Sequence, residues 1–329
     1  MTAARTAAAL ADVLDELDTL GVSNERLQIL VDCETEAFRR RRRSACKARP
    51  DCGGDAQTLP RDVRDWALLF LRHLVFGFRL PESTWCTAQV VLDAYCAQAS
   101  EVDAVVSELP CLCLSVVTLL KKMDSVMDPP TRYQRFALPQ GVAFAEMLRS
   151  KGYNAKDPTE IGVGECERHA LQATSWQVSL PSAEAWMQLF RSRFDVFSCG
   201  VFATSLSWVI DNSTAFLSAM VRWRPATAEF PPRIAAAGLF GLRLIGAGML
   251  PRAALKPEAV SHDDWAAMFQ AVFREDDAAS ARAAAVSDER RARILETLVA
   301  SLGMRLEEIV AAADLVSQVL RELSQSAPM

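Results

Sequence analysis

The sequence predicts an all-α fold: two helical bundles in tandem behind an N-terminal helical extension. Three observations predict it. Ala, Leu, Arg and Glu abound while Gly (14) and Pro (15) are few in 329 residues, a balance that favours helix over sheet. Residues 111–120 and 234–250 are apolar nearly all round, which marks helices with neighbours on every side. These two stretches define a repeat of pattern, not of identity, at a spacing of about 130 residues.

Residues 1–57 read as a helical extension followed by a basic linker. Leu10, Val13, Leu14 and Leu17 recur at helical spacing. Residues 38–58 then carry the run Arg39 to Arg43, followed by Pro50, Asp51, Gly53 and Gly54, and read as a loop or connector. The arginine run has the composition of a nuclear-import signal or phosphate-binding arm, but a short basic run is more often a solvated connector.

Residues 58–195 read as the first bundle. Its first helix spans 61–76, with Trp66, Leu69, Phe70, His73 and Leu74 on one face. A second helix over 83–97 has Ser83 or Thr84 to cap it. The all-apolar third helix, 111–123, ends in Lys121 and Lys122. Helices follow over 141–151 and 158–175, and 181–195 begins another amphipathic helix through Trp186, Leu189, Phe190 and Phe194. Residues 196–326 read as the second bundle. It holds a helix over 214–223, the apolar 234–250 with its small residues Ala235, Ala236, Ala237, Gly238 and Gly241, and two amphipathic helices between 288 and 323, parted at Gly303. Residues 252–285 fit no element of this plan.

Composition narrows the function. A net charge of −5 argues against gripping nucleic acid. No apolar run reads as long enough to cross a bilayer: Lys121 and Lys122 stop one, and Arg243 interrupts the other. The first 20 residues carry acids and lack the apolar stretch of a signal peptide. Nine cysteines, several within apolar helical runs, read as reduced thiols in an intracellular chain of the nucleus or cytoplasm. Cys33, Cys46 and Cys52 match no zinc-ligand spacing, and Cys111 and Cys113 read as small apolar residues. His73 reads as a core or boundary residue. His73, His169 and His262 have no companion nucleophile in a recognisable motif. Gly162-Val163-Gly164 enters a helix without a preceding strand, the wrong setting for a phosphate loop. These absences point away from an enzyme and from any cofactor or metal.

The order of elements and certain residues resemble the cyclin family. Asp65-Trp66 matches the Asp-Trp of that family's opening helix. Val91, Leu92, Asp93 and Tyr95 resemble the second-helix pattern ending in Ile-Asp-Arg-Phe. Leu114 to Val126 resembles the buried third helix, and Glu167, Leu171, Trp176, Val178, Pro181 and Ser182 resemble the fifth helix and its exit. Phe230, Pro231, Pro232, Ile234 and Ala235 to Ala237 resemble the opening of the buried helix of a second box. The resemblance implies two tandem five-helix cyclin boxes and a regulatory subunit, not itself an enzyme. Such a subunit binds and activates a cyclin-dependent serine/threonine kinase, in cell-cycle control. It places Lys122 and Glu167 at the kinase interface, with Met123 and Asp124 beside them, and makes Trp66, Asp93, Trp176 and Pro181 part of the structural pattern. The other reading is a cyclin-fold scaffold or transcription-type adaptor that binds proteins or peptides without activating a kinase.

The family's opening helix often reads Met-Arg-x-x-Leu, a docking patch for substrate peptides. Here the Arg register holds Pro60. Leu59, Val63 and Trp66 can still form an apolar groove, and Asp93 must then take Arg61 or Arg64 as its partner.

Overall fold

A computed structural model describes residues 16–48, 59–81, 83–99, 101–124, 130–174, 176, 181–211, 213–225, 230–250, 255 and 287–326. Among them every regular element is helical. The helices are α1 (Asn24–Ala48), α2 (Arg61–Gly77), α3 (Ser83–Cys96), α4 (Val102–Asp124), α5 (Pro130–Ser150), α6 (Glu160–Ala173), α7 (Ala183–Phe197), α8 (Ala203–Asp211), α9 (Thr214–Trp223), α10 (Pro232–Gly246), α11 (Asp288–Leu302) and α12 (Leu306–Ser326). They group into two compact units, Cys33–Ser182 with Val221–Pro231, and Met1–Asp32 with Ala183–Met220 and Pro232–Met329. The division falls after Ser182 and not after residue 195, because α7 packs on α10 and α11.

In the first unit α4 lies at the centre, packed against α2, α3, α5 and α6. Leu109, Leu112, Cys113, Leu114, Val116 and Val117 of α4 are all 0% exposed, so the helix without a polar face obtains neighbours on every side. Ser115 is its buried hydroxyl, and it bonds the carbonyls of Cys111 and Val163, each at 2.6 Å, as burial of a polar group requires. The stretch Val102–Met123 is long and apolar enough to cross a membrane, contrary to the expectation from its lysine stop, and most of it is buried within this bundle.

Three boundaries differ from the expected ones. α4 starts at Val102, with Pro110 inside it. α5 starts at Pro130, with Pro139 inside it; each internal proline leaves its helix one backbone hydrogen bond short. Instead of a connector, α1 carries Arg39 to Arg43 in helix up to Ala48. Arg is a good helix former, and Glu36 pairs with Arg39 at 3.2 Å and Arg40 at 2.9 Å. On α2 the buried face is Val63, Arg64, Ala67, Leu68, Phe70, Leu71, Leu74 and Val75. Leu69 and His73 fall outside it; His73 is exposed and meets Gln140 Oε1 at 3.2 Å.

In the second unit α10 packs against α12, α7 and α8. Ala235 to Ile245 are buried without a break. Gly238 lets α12 approach so closely that a Cβ there would collide with the Ala312 carbonyl. Residues 252–254 and 256–285, Cys52 and His262 lie outside the described residues.

Candidate functional site

Lys122 lies in the last turn of α4 and Glu167 in α6. They are 45 residues apart in sequence, and the ammonium meets both carboxylate oxygens at 2.7 and 2.8 Å. The lysine side chain is 60% exposed and the glutamate 18%, so the pair sits at the rim of the first bundle. Position on the helices explains half of it. A cation in the last turn is favoured by the helix dipole. Glu167 lies two turns inside α6 and not at its start, beyond the reach of that helix's positive end. Its partner is Lys122. An ion pair this exposed contributes about 0–1 kcal/mol to folding, so holding the bundle together is not its main consequence.

The flanking residues extend the rim. Met123, next to Lys122, is 53% exposed. Leu171, one turn beyond Glu167 on α6, is half-buried against the core. The Leu171 carbonyl accepts the Trp176 backbone N–H at 2.7 Å. Trp176 is 68% exposed and its backbone is left-handed, φ 63°, a conformation rare for a bulky residue. Trp176 is therefore a surface residue. The rim runs Met123, Lys122, Glu167, Leu171, Trp176: a charged pair between two exposed large apolar side chains. Its signal in the sequence was a Trp placed just past a helix end. Asp124 closes α4, and its side chain lies outside the described residues, as does Val178.

The other expected positions are structural. Asp93 is buried and pairs with Arg64, Nε to Oδ1 at 2.9 Å and Nη2 to Oδ2 at 3.0 Å. Arg64 thus takes the place left by Pro60. Trp66 is half-buried, edge-on to Tyr153 with centroids 6.2 Å apart. Pro181 precedes α7 and is partly exposed.

The apolar groove expected at Leu59, Val63 and Trp66 is not open. Leu59 is 5% and Val63 0% exposed, both in the core that also includes Val221. The chain just after Met220 is fastened over this end of α2. Arg64 donates to the carbonyls of Val221 at 2.9 Å and Arg222 at 2.6 Å. Arg222 forks onto Asp65 with two 2.6 Å bonds, and the Arg61 guanidinium lies 3.1 Å from the Trp223 ring centroid.

Among the described residues no group of three or more His, Cys, Asp or Glu is placed to hold a metal ion. Cys33 is exposed, and the side chains of Cys46 and Cys52 lie outside the described residues. Gly162 donates its N–H to Thr159 Oγ1 at 3.0 Å, so this glycine serves a helix cap. No known family's sequence model matches this chain, and no curated protein matches it in sequence.

Proposed function

We propose that this chain is a cyclin-like regulatory subunit. It binds a cyclin-dependent serine/threonine kinase and activates it by packing the rim of its first bundle on the kinase helix that carries the catalytic Glu. That contact turns the kinase helix inward so that the kinase's own Lys–Glu pair forms. The observation that carries the reading is the Lys122–Glu167 pair, drawn together at 2.7 Å from 45 residues apart and flanked by exposed Met123 and Trp176. Exposed Trp and Met side chains are the residue types enriched at interface centres. Once water is excluded, Lys122 can donate to a partner's backbone carbonyls and Glu167 can accept from its N–H groups.

The five-helix arrangement about α4 supports this reading, because it holds the last turn of α4 beside the middle of α6. The closed end of α2 argues against substrate docking at Leu59, Val63 and Trp66, so kinase capture is proposed without it.

The test is purification of the tagged full chain with its bound proteins, followed by phosphorylation assays. A co-purifying kinase with raised activity supports the reading. Exchanging the charges (Lys122→Glu with Glu167→Lys) preserves the internal pair and the fold but presents the wrong sign to each partner group. Capture is expected to be lost. Wild-type capture by the exchanged variant would reject the site, and capture without raised activity would favour the adaptor.

A further inference from the structure

Cys111 of α4 and Cys166 of α6 are both buried, 8% and 3% exposed, on two helices packed against each other, and their thiols lie close enough for each to shift the other's ionisation. The surroundings are built for this meeting. Gly162, one turn before Cys166, has no side chain, and a Cβ there would come within 3.1 Å of the Cys111 sulfur. The thiol therefore lies against the bare backbone of α6. The next turn of α4 is locked to the same place by Ser115, which bonds the Val163 carbonyl at 2.6 Å. The Cys111 sulfur also accepts a hydrogen bond from the Thr159 backbone N–H at the N-cap of α6, and Lys156 adds positive charge. Backbone N–H groups at a helix N-terminus are the setting in which a thiolate is favoured.

We propose that Cys111 and Cys166 form a peroxide-responsive thiol pair that closes to a disulfide between α4 and α6. In the first step the Cys111 thiolate attacks one oxygen of hydrogen peroxide. The O–O bond breaks, an S–O bond forms, and the departing hydroxide takes up a proton as water. In the second step the Cys166 sulfur attacks the Cys111 sulfur. The S–S bond forms, the S–O bond breaks, and the leaving hydroxide takes the Cys166 proton as a second water. Two thiols are oxidised and one peroxide is reduced to two waters.

The two sulfurs have unequal roles. Chiefly through the bond from Cys166, the Cys111 thiol is lowered from 9.0 to about 7, while Cys166, as donor and by burial, is pushed well up. Cys111, which also faces the Thr159 N–H and the Lys156 charge, is the attacking sulfur and Cys166 the resolving one. The pair lies in the same α4–α6 contact that carries Lys122 and Glu167 at its rim, and the proposal stands whether or not that rim binds a kinase.

The experiment treats the reduced full chain with limiting hydrogen peroxide, alkylates the remaining thiols, and maps the peptides by mass spectrometry. The expected product is a Cys111–Cys166 cross-linked peptide that dithiothreitol abolishes. The melting temperature should rise by about 5 °C or more before reduction. In Cys166→Ser, Cys111 should accumulate as a sulfenic acid trapped by dimedone. In Cys111→Ser, Cys166 should stay a thiol. The proposal is overturned if the wild-type chain oxidises at exposed Cys33 and Cys199 while Cys111 and Cys166 stay alkylatable. It is equally overturned if Cys111 oxidises without the cross-link. Both readouts use the wild-type chain and hold even if a serine variant fails to fold.

Discussion

Arg64 and Asp93, 29 residues apart on α2 and α3, form a buried ion pair at 2.9 Å with both side chains 5% exposed. Arg64 spends its remaining donors on the carbonyls of Val221 and Arg222, and Asp93 also accepts from Gln89. The arrangement satisfies both charges, so its energy shows when one member is removed. Arg64→Met should destabilise the first bundle by about 3–5 kcal/mol, because Asp93 is left buried and charged. The double change Arg64→Met with Asp93→Leu should cost clearly less than the sum of the two single changes. Urea unfolding of the four proteins of the cycle measures this; additive costs would show that the pair is not coupled.

Why was this pair only half legible beforehand? Asp93 and the displaced Arg register at Pro60 suggested a partner among Arg61 and Arg64, and helix geometry selects Arg64, which lies on the buried face of α2. The clasp from Val221 and Arg222 arrives from 157 residues away, and no local pattern signals a carbonyl at such a distance. Helices with no polar face were legible, since 111–120 and 234–250 have no stable place on a surface. Leu69 and Leu68 were not separable by type, and one residue of register decides which of them is buried. The rim pair came from family resemblance alone. The exposure of Trp176 depends on where α6 ends, which propensity locates only to within a turn.

Arg193 is 0% exposed, and among the described residues its guanidinium bonds carbonyl and amide oxygens, not a carboxylate. Its guanidinium donates to the carbonyls of Ser301 at 2.7 Å, Ala300 at 3.0 Å and Val22, and to Asn24 Oδ1 at 2.6 Å. It therefore caps the C-terminal end of α11 and ties the chain before α1 to it. Burial lowers its pKa to about 10. Arg193→Met should cost about 3 kcal/mol, since several buried carbonyls lose their donor together. Arg193→Lys should recover part of that, because an ammonium has three donors but no planar fork. Thermal unfolding of both variants checks the order; equal loss from Met and Lys would deny the role of charge.

Two glycines should respond to alanine with opposite signs. At Gly238 of α10 a Cβ would collide with the Ala312 carbonyl and carbon, and backbone cannot step aside as a side-chain tip can. Gly238→Ala should destabilise by about 2–3 kcal/mol or more by forcing α10 and α12 apart. At Gly164 of α6 nothing lies within 4 Å of the new methyl, so Gly164→Ala should stabilise by about 0.5–1 kcal/mol through lowered unfolded-state entropy. Denaturant midpoints of the two variants make the comparison, and a stabilised Gly238→Ala would refute the close approach.

The cysteine pair also makes stability depend on pH under reducing conditions. The folded Cys111 thiol is lowered from 9.0 to about 7, first by the hydrogen bond from Cys166 and then by the Thr159 N–H and Lys156, against opposition from burial and Glu108. A group whose folded pKa is depressed favours the folded state above its unfolded pKa and loses that contribution as pH falls through the folded value. The Cys111 contribution should therefore grow as pH rises from about 7 to 9. Cys96, Cys113 and Cys166 move the other way, all raised, the first two chiefly by burial and Cys166 chiefly by its bond to Cys111. In the unfolded chain they ionise near 9.0, so above that pH they draw the equilibrium toward unfolding. Stability in dithiothreitol should thus rise between pH 7 and 9 relative to Cys111→Ser, and fall beyond it in both proteins. Urea midpoints across that range test this, and parallel curves for wild type and Cys111→Ser below pH 9 would show that Cys111 does not titrate as its surroundings require.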